Sequence, residues 1–271
     1  MLGAAADEQS TPRATTLAAF YSSSADAYKR LWAPELIKLS APLLDELPLA
    51  GARRVLDAGT GVGALLPHIR KRAPGAQIVG ADVSEGMVRL APREFPVAVM
   101  DATRLGFAPR SFDIGIFAFV LFHLPDPHAG LREMRRVLTP GAMVATITWG
   151  NDPSYPAVDA WTEELDARGA TPAVGTISRH DLVDDPNKVE AVLAAAGFSS
   201  VRTWMGRYRK AMSADEFIAH RVGHGMSRHR FESLDEAARA ACLEALRSRL
   251  EQLDTHGLVD EADVIYALAE S

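Results

Sequence analysis

Val55-Leu56-Asp57-Ala58-Gly59-Thr60-Gly61-Val62-Gly63 is the stretch that decides how this chain is read. An apolar run ends in a carboxylate, and three alternating glycines follow at once. Ala64-Leu65-Leu66-Pro67-His68-Ile69-Arg70 then reads as the start of a helix. Strand, tight turn and helix start together make a place where a nucleotide-like ligand touches backbone. Glycine suits the turn because it accepts positive φ and puts no side chain in the ligand's way. Pro67 is tolerated because the first N–H groups of a helix lack intrahelical partners.

A glycine turn alone is weakly specific. Gly59, Gly61 and Ala64 also fit the G-x-G-x-x-A dinucleotide fingerprint. Asp57 separates the readings. It stands two residues before the first glycine, and a pyrophosphate there would meet a carboxylate of like charge in a partly dry site. A ligand carrying ammonium and sulfonium charges, such as S-adenosylmethionine, would be attracted instead. The plainer alternative is a structural turn with an Asp cap.

The next segments extend the pattern. Gln77-Ile78-Val79-Gly80-Ala81-Asp82 reads as a second strand ending in an acid. Asp82 lies 23 residues beyond Gly59, near the ~20-residue spacing of a ribose-binding carboxylate. Ser84 is placed to cap a helix around Met87–Leu90. A third run, Val97–Met100, ends in Asp101-Ala102. There a carboxylate suits the adenine amino group and the Ala102 N–H suits a ring nitrogen. In a parallel open sheet, Asp57, Asp82 and Asp101 would share the edge where ligands bind.

These segments, with Ser111–Ile114, Phe119–Asp126 and Arg136–Ala142, make the chain resemble the class I S-adenosylmethionine-dependent methyltransferases over roughly residues 21–270. Thr139 and Ala142 depart mildly from the family's RVLKPGG turn. The resemblance implies a doubly wound α/β fold with a mostly parallel seven-stranded sheet and one antiparallel strand near the C-terminus. It also implies the site. Asp57, Gly59, Thr60, Gly61 and Gly63 would hold the methionine end, and Asp82 the ribose. Val83 and Met87 would lie against the nucleoside, and Asp101 and Ala102 would read the adenine edge. Phe119 would offer its carbonyl to the cofactor's amino group.

Length and composition set bounds. A chain of 271 residues, 48% apolar, fits one domain with an elaboration. A net charge of -6 argues against a nucleic-acid partner, which calls for a basic face. The single cysteine, Cys242, excludes an internal disulfide and reads as a small core residue. No apolar stretch reaches the roughly 18 residues of a membrane span, and no secretory leader pattern opens the chain. The expectation is a cytoplasmic protein with no membrane partner, monomeric or homodimeric.

Residues 1–16 are expected to fray, and 17–271 to form one methyltransferase domain. Within it, 17–50 would be a helical cover, 51–150 the cofactor-binding core and 151–271 a half carrying acceptor-site helices. A fourth strand is expected over Ile114–Phe122, a helix over His128–Leu138 and a fifth strand over Met143–Trp149. Helices at Ala157–Arg168 and Pro186–Ala196, a loop at Gly169–Arg179, a sixth strand at Val201–Tyr208 and a closing strand at Ala262–Ala269 complete the plan. Ser213-x-x-Glu216 and Ser233-x-x-Glu236 both match the capping box that opens a helix.

Methyl transfer is an in-line displacement, so the protein mainly positions and desolvates the acceptor. His123, after the fourth strand, is the candidate base; in the resembling family a histidine here often only shapes the site. Tyr21, Tyr28 and Trp32 lie on an N-terminal helix that would fold over the site, Tyr28 toward the cofactor and Tyr21 and Trp32 toward the acceptor. The alternative is an amphipathic helix with an aromatic core face. Trp149 is counted with the acceptor residues. The run Phe217–Arg230 holds His220, Arg221 and His224, which suit an anionic acceptor; the alternative is a solvated basic helix end. No carboxylates stand at metal-ligand spacing from these histidines, and no metal is expected.

The reading is methyl transfer from S-adenosylmethionine to a small molecule at O, N or C. Its rivals are a protein that keeps fold and cofactor but catalyses another step, a nucleic-acid methyltransferase, and a nicotinamide dehydrogenase. The first rival stays open because binding motifs report binding and not turnover. The second lacks an Asn/Asp-Pro-Pro-Tyr motif after the fourth strand, and Asp57 disfavours the third.

Overall fold

Apolar runs become strands and the amphipathic runs between them become helices. The computed structural model describes residues 10–171, 179–254 and 256–271. Helices α1 (Ser10–Leu31) and α2 (Ala33–Glu46) precede the sheet. Then come β1 (Arg54–Ala58), α3 (Leu66–Arg72), β2 (Gln77–Asp82), α4 (Glu85–Arg89), β3 (Val97–Val99) and β4 (Phe112–Ala118). They are followed by α5 (Pro127–Val137), β5 (Leu138–Trp149), α6 (Pro156–Ala167), α7 (Pro186–Ala195) and β6 (Ser199–Ala211). The chain closes with α8 (Ala214–Gly223), α9 (Met226–Glu232), α10 (Glu236–Leu250) and β7 (Val259–Glu270).

The strands form one seven-stranded sheet in the order β3-β2-β1-β4-β5-β7-β6. β1, β2, β3, β4 and β5 pair in parallel, and β7 runs antiparallel to β5 from Trp149↔Val264 to Met143↔Glu270. Order reverses between β1 and β4, so a crevice opens at their carboxyl ends. Val55, Leu56, Ile114, Ile116, Phe117, Val144 and Ile147 are buried, as strands covered on both faces require.

Two compact units divide the described residues. One holds 10–151, 179–206 and 264–271; the other holds 152–171, 207–254 and 256–263. The second has its own core, in which Trp161, Phe217, Cys242 and Leu246 are fully enclosed.

Four expectations shift. Helix α1 already begins at Ser10, so 10–16, expected to fray, are helical; residues 1–9 lie outside the described residues, as do 172–178 of the expected loop. The fourth strand ends at Ala118 and not at Phe122, because Phe119 takes φ 59° and the chain turns into a short 3-10 helix at Leu121–His123. The fifth strand, expected from Met143, already begins at Leu138 and takes in Thr139-Pro140-Gly141, with the register jumping from Phe112↔Leu138 to Ile114↔Met143. The box at Ser213 forms in full, but α10 is capped by Asp235, whose side chain accepts from the Ala238 N–H, while Ser233 ends α9.

Candidate active site

The turn after β1 is built around a close approach. A Cβ at Gly59 (φ 76°) would lie 2.3 Å from Val120 Cγ2, so only glycine lets the β1 turn and the β4 turn meet. The Gly59 and Thr60 N–H groups both donate to the Ala81 carbonyl, at 2.7 and 2.9 Å, tying the turn to β2. Asp57 lies beneath, 1% exposed. The Thr60 hydroxyl donates to Asp57 Oδ2 at 2.6 Å, while Oδ1 is buried without a hydrogen-bond partner. Burial pushes the Asp57 carboxyl up to about 6, against the opposing effect of the Thr60 bond. An unsatisfied buried acceptor costs about 1–3 kcal/mol, and more when charged. A cationic group bound at the turn would offset that cost.

Asp82 is set for a diol. Its Oδ2 accepts from the Gly61 N–H at 2.8 Å and its Oδ1 from the Ser84 N–H at 2.9 Å. Each oxygen therefore keeps acceptor capacity. Burial raises its carboxyl above the ordinary range, opposed by those two bonds. At Asp101, Oδ1 takes both the Thr103 N–H (2.8 Å) and the Thr103 hydroxyl (2.7 Å), leaving Oδ2 for an incoming donor. Phe119 is a bulky residue in the left-handed region, a strained geometry that concentrates at functional sites. Its N–H donates to Ile147 O at 2.8 Å and its ring rests 4.7 Å from Trp149.

Helix α1 covers this edge, and a second glycine seats it. A Cβ at Gly86 would fall 2.6 Å from Ser22 Cα. Without one, the Ser22 hydroxyl reaches the Gly86 N–H (3.1 Å) and Ser84 Oγ (2.8 Å). Ser84 also caps α4, accepting from the Met87 N–H. Tyr28 faces Gly61, whose Cβ would be 3.7 Å from its ring. Tyr21 bonds to His123 Nε2 at 2.7 Å and packs edge-on against Tyr28 at 6.0 Å. Burial, with His180 adding to it, lowers His123 to about 3, so its ring is neutral. Burial, with Asp82 nearby, raises the Tyr21 phenol well above its ordinary value.

These groups surround a cavity that opens to solvent at the carboxyl edge of the sheet. Of the residues expected from sequence, Tyr21, Tyr28, Gly59, Gly61, Asp82, Val83, Met87, Asp101, Ala102, Phe119 and His123 line it. Asp57, Thr60 and Gly63 stand behind the wall: Asp57 and Thr60 bond to each other, and Gly63 packs beside Pro92 and Ala91. Trp32 and Trp149 pack on one another at 6.0 Å and do not line it. Sequence reading missed Leu17, Met100, Ala118, Val120, Leu124 and Pro125. Positions 17, 21 and 28 share one helical face, a signal that could have added Leu17.

His220, Arg221 and His224 belong to the second unit. Arg221 donates to Tyr155 Oη at 3.1 Å and lies 5.0 Å over the Phe217 ring. His220 Nε2 is 3.1 Å from Lys210 Nζ, and burial lowers His224 to about 4. Among the described residues no group of three or more His, Cys, Asp or Glu side chains is placed to hold a metal.

Comparison with known proteins gives the family. Residues 56–146 match a methyltransferase domain family. The ubiquinone/menaquinone biosynthesis C-methyltransferase UbiE of Syntrophotalea carbinolica is 32% identical over 56% of this chain and 68% of its own length. The demethylmenaquinone methyltransferase of Thermus thermophilus is 34% identical over 37% of this chain, which spans about half, 49%, of that relative. Haemonchus contortus phosphoethanolamine N-methyltransferase 2, solved with phosphomonomethylethanolamine and S-adenosylhomocysteine, shares the fold with a TM-score of 0.53 at 18% identity, over 92% of this chain and 57% of that one. The chain belongs to the class I S-adenosylmethionine-dependent methyltransferases. S-adenosylmethionine is its cofactor, and the unpartnered Asp57 oxygen and the two-sided Asp82 carboxylate fit that molecule's ammonium and ribose.

Proposed function

We propose that this enzyme methylates a small, mostly apolar aromatic acceptor. One observation carries the reading. The charged side chains lining the cavity are Asp82 and Asp101, and both suit the nucleoside end of the cofactor. The rest of the wall, including Leu17, Tyr21, Phe119, Val120 and Leu124, is apolar or aromatic. Such a wall favours an uncharged ring, because a charged acceptor would lose its hydration without a partner. Relatives named for quinone methylation support the same class. The bound cofactor supplies an activated methyl group.

The chain's own residues orient and dry the acceptor. Asp82 and Asp101 hold the nucleoside, Asp57 and the glycine turn hold the cationic end, and α1 closes the edge and excludes water. His123, hard to protonate in its buried place, serves better as a hydrogen-bond acceptor than as a resting base. The acceptor atom is therefore one made nucleophilic by its own ring. On this reading the enzyme is cytoplasmic and its partner is a small molecule; no helix among the described residues is long and apolar enough to cross a membrane. The test is incubation with methyl-labelled S-adenosylmethionine and a panel of naphthols, naphthalenediols, amino alcohol phosphates and aliphatic carboxylates. Label in the aromatic arm is the expected result. Transfer confined to phosphorylated or carboxylated acceptors would overturn the reading.

A further inference from the structure

The cavity's polar side chains are Tyr21, Tyr28, Asp82, Asp101 and His123. The aspartates suit the nucleoside, and Tyr28 faces the glycine turn at Gly61. That leaves Tyr21 and His123, which lie 102 residues apart in sequence yet are joined at 2.7 Å. A neutral phenol is a far stronger acid than the N–H of neutral imidazole, and the bare imidazole nitrogen is the better acceptor. The arrangement this favours has the Tyr21 O–H donating to His123 Nε2 and the ring hydrogen on Nδ1. The rings are held in that relation. Tyr21 meets Phe20, Tyr28 and His123 edge-on at 5.2, 6.0 and 5.4 Å, and His123 rests 4.3 Å from Phe122.

A phenol whose one hydrogen is committed offers the cavity only an oxygen lone pair. We propose that Tyr21, with its proton tied to His123, selects acceptors that donate a hydrogen bond beside the reacting atom, a ring hydroxyl in place of a methoxy or carbonyl group. The inference rests on the reading of this cavity as an aromatic acceptor site, and it adds a chemical filter to it. An acceptor presenting a carbonyl there sets two lone pairs against each other and loses hydration without gaining a bond. An acceptor hydroxyl donates to Tyr21, and its oxygen becomes more electron-rich, which favours attack by that oxygen or by the ring carbon conjugated to it. Tyr21 is thus a specificity-determining residue, and His123 a positioning residue that sets its polarity.

The experiment measures binding of 1-naphthol, 1-methoxynaphthalene and 1,4-naphthoquinone to the full chain saturated with S-adenosylhomocysteine. The wild-type protein should bind 1-naphthol about tenfold more tightly than the other two, the scale of one buried hydrogen bond. Tyr21→Phe should bring the three within about twofold of one another, with S-adenosylhomocysteine affinity unchanged. His123→Leu frees the Tyr21 proton and should raise relative affinity for the methoxy and quinone probes. A merely structural Tyr21 would change all three probes alike. Equal binding of the probes by the wild type, or a preference surviving in Tyr21→Phe, overturns this inference and leaves the aromatic reading standing. Binding of S-adenosylhomocysteine with no binding of any naphthalene overturns both.

Discussion

Titration with S-adenosylhomocysteine between pH 7 and pH 5 should expose the Asp57 carboxylate. In the free protein burial moves this carboxyl from 3.8 to about 6. A move of that size costs the charged form about 3 kcal/mol. A ligand ammonium seated at the glycine turn in front of Asp57 returns the carboxyl toward its ordinary range by charge attraction. With a free value near 6, Asp57 is ionised in about nine molecules of ten at pH 7 and about one in ten at pH 5. Affinity should therefore fall about tenfold across that interval, with release of about half a proton on binding at pH 6. His123, near 3, stays neutral throughout the window. Calorimetry in two buffers of different ionisation enthalpy reads both quantities, and Asp57→Asn should flatten them. The stability sign is opposite. Because the folded value lies above the unfolded one, Asp57 contributes stability that is full below pH 3.8 and lost as pH rises through about 6. A slope that persists in Asp57→Asn would assign the titration to another group and refute the argument.

Three further outcomes are expected. Asp82→Ala removes the acceptor of the Gly61 and Ser84 N–H groups and charge-assisted bonds to a ribose worth about 1.5–3 kcal/mol; S-adenosylhomocysteine affinity should drop at least about tenfold in a variant shown folded by circular dichroism. Gly86→Val drives side-chain atoms into Ser22, where even a Cβ would sit 2.6 Å from the Ser22 Cα; overpacking of about 1–3 kcal/mol should unseat α1, read as faster amide exchange across Tyr21–Tyr28 with α10 unchanged. Arg221→Ala removes the bond to Tyr155 and the contact over Phe217; thermal unfolding should show a loss of about 1 kcal/mol, and unaltered cofactor affinity would separate this side chain from the cofactor site.

The sheet and the residues along its carboxyl edge were legible because they rest on local signals. Continuous apolar runs, a glycine turn and acids at strand ends report backbone geometry within a few residues. That reach placed β1, β2 and β3 and brought Asp82, Asp101 and the turn to one cavity. Local signals failed where chemistry was the same and context differed. Phe119–Phe122 is apolar enough for a strand, but Phe119 takes a positive φ and Val120 packs against Gly59, so the chain leaves β4 there. Ser233 has the spacing of a cap, yet Asp235 lies nearer the first turn and wins. The pairing of Tyr21 with His123, the seat of Ser22 over Gly86 and the orphaned Asp57 oxygen involve residues brought together from α1, β1, α4 and the turn after β4. Motif spacing and the family resemblance pointed to a charged nucleoside at the sheet edge. Only tertiary packing decided which side chains lose water there and which keep a free lone pair, because desolvation and hydrogen-bond direction depend on neighbours that no stretch of sequence contains.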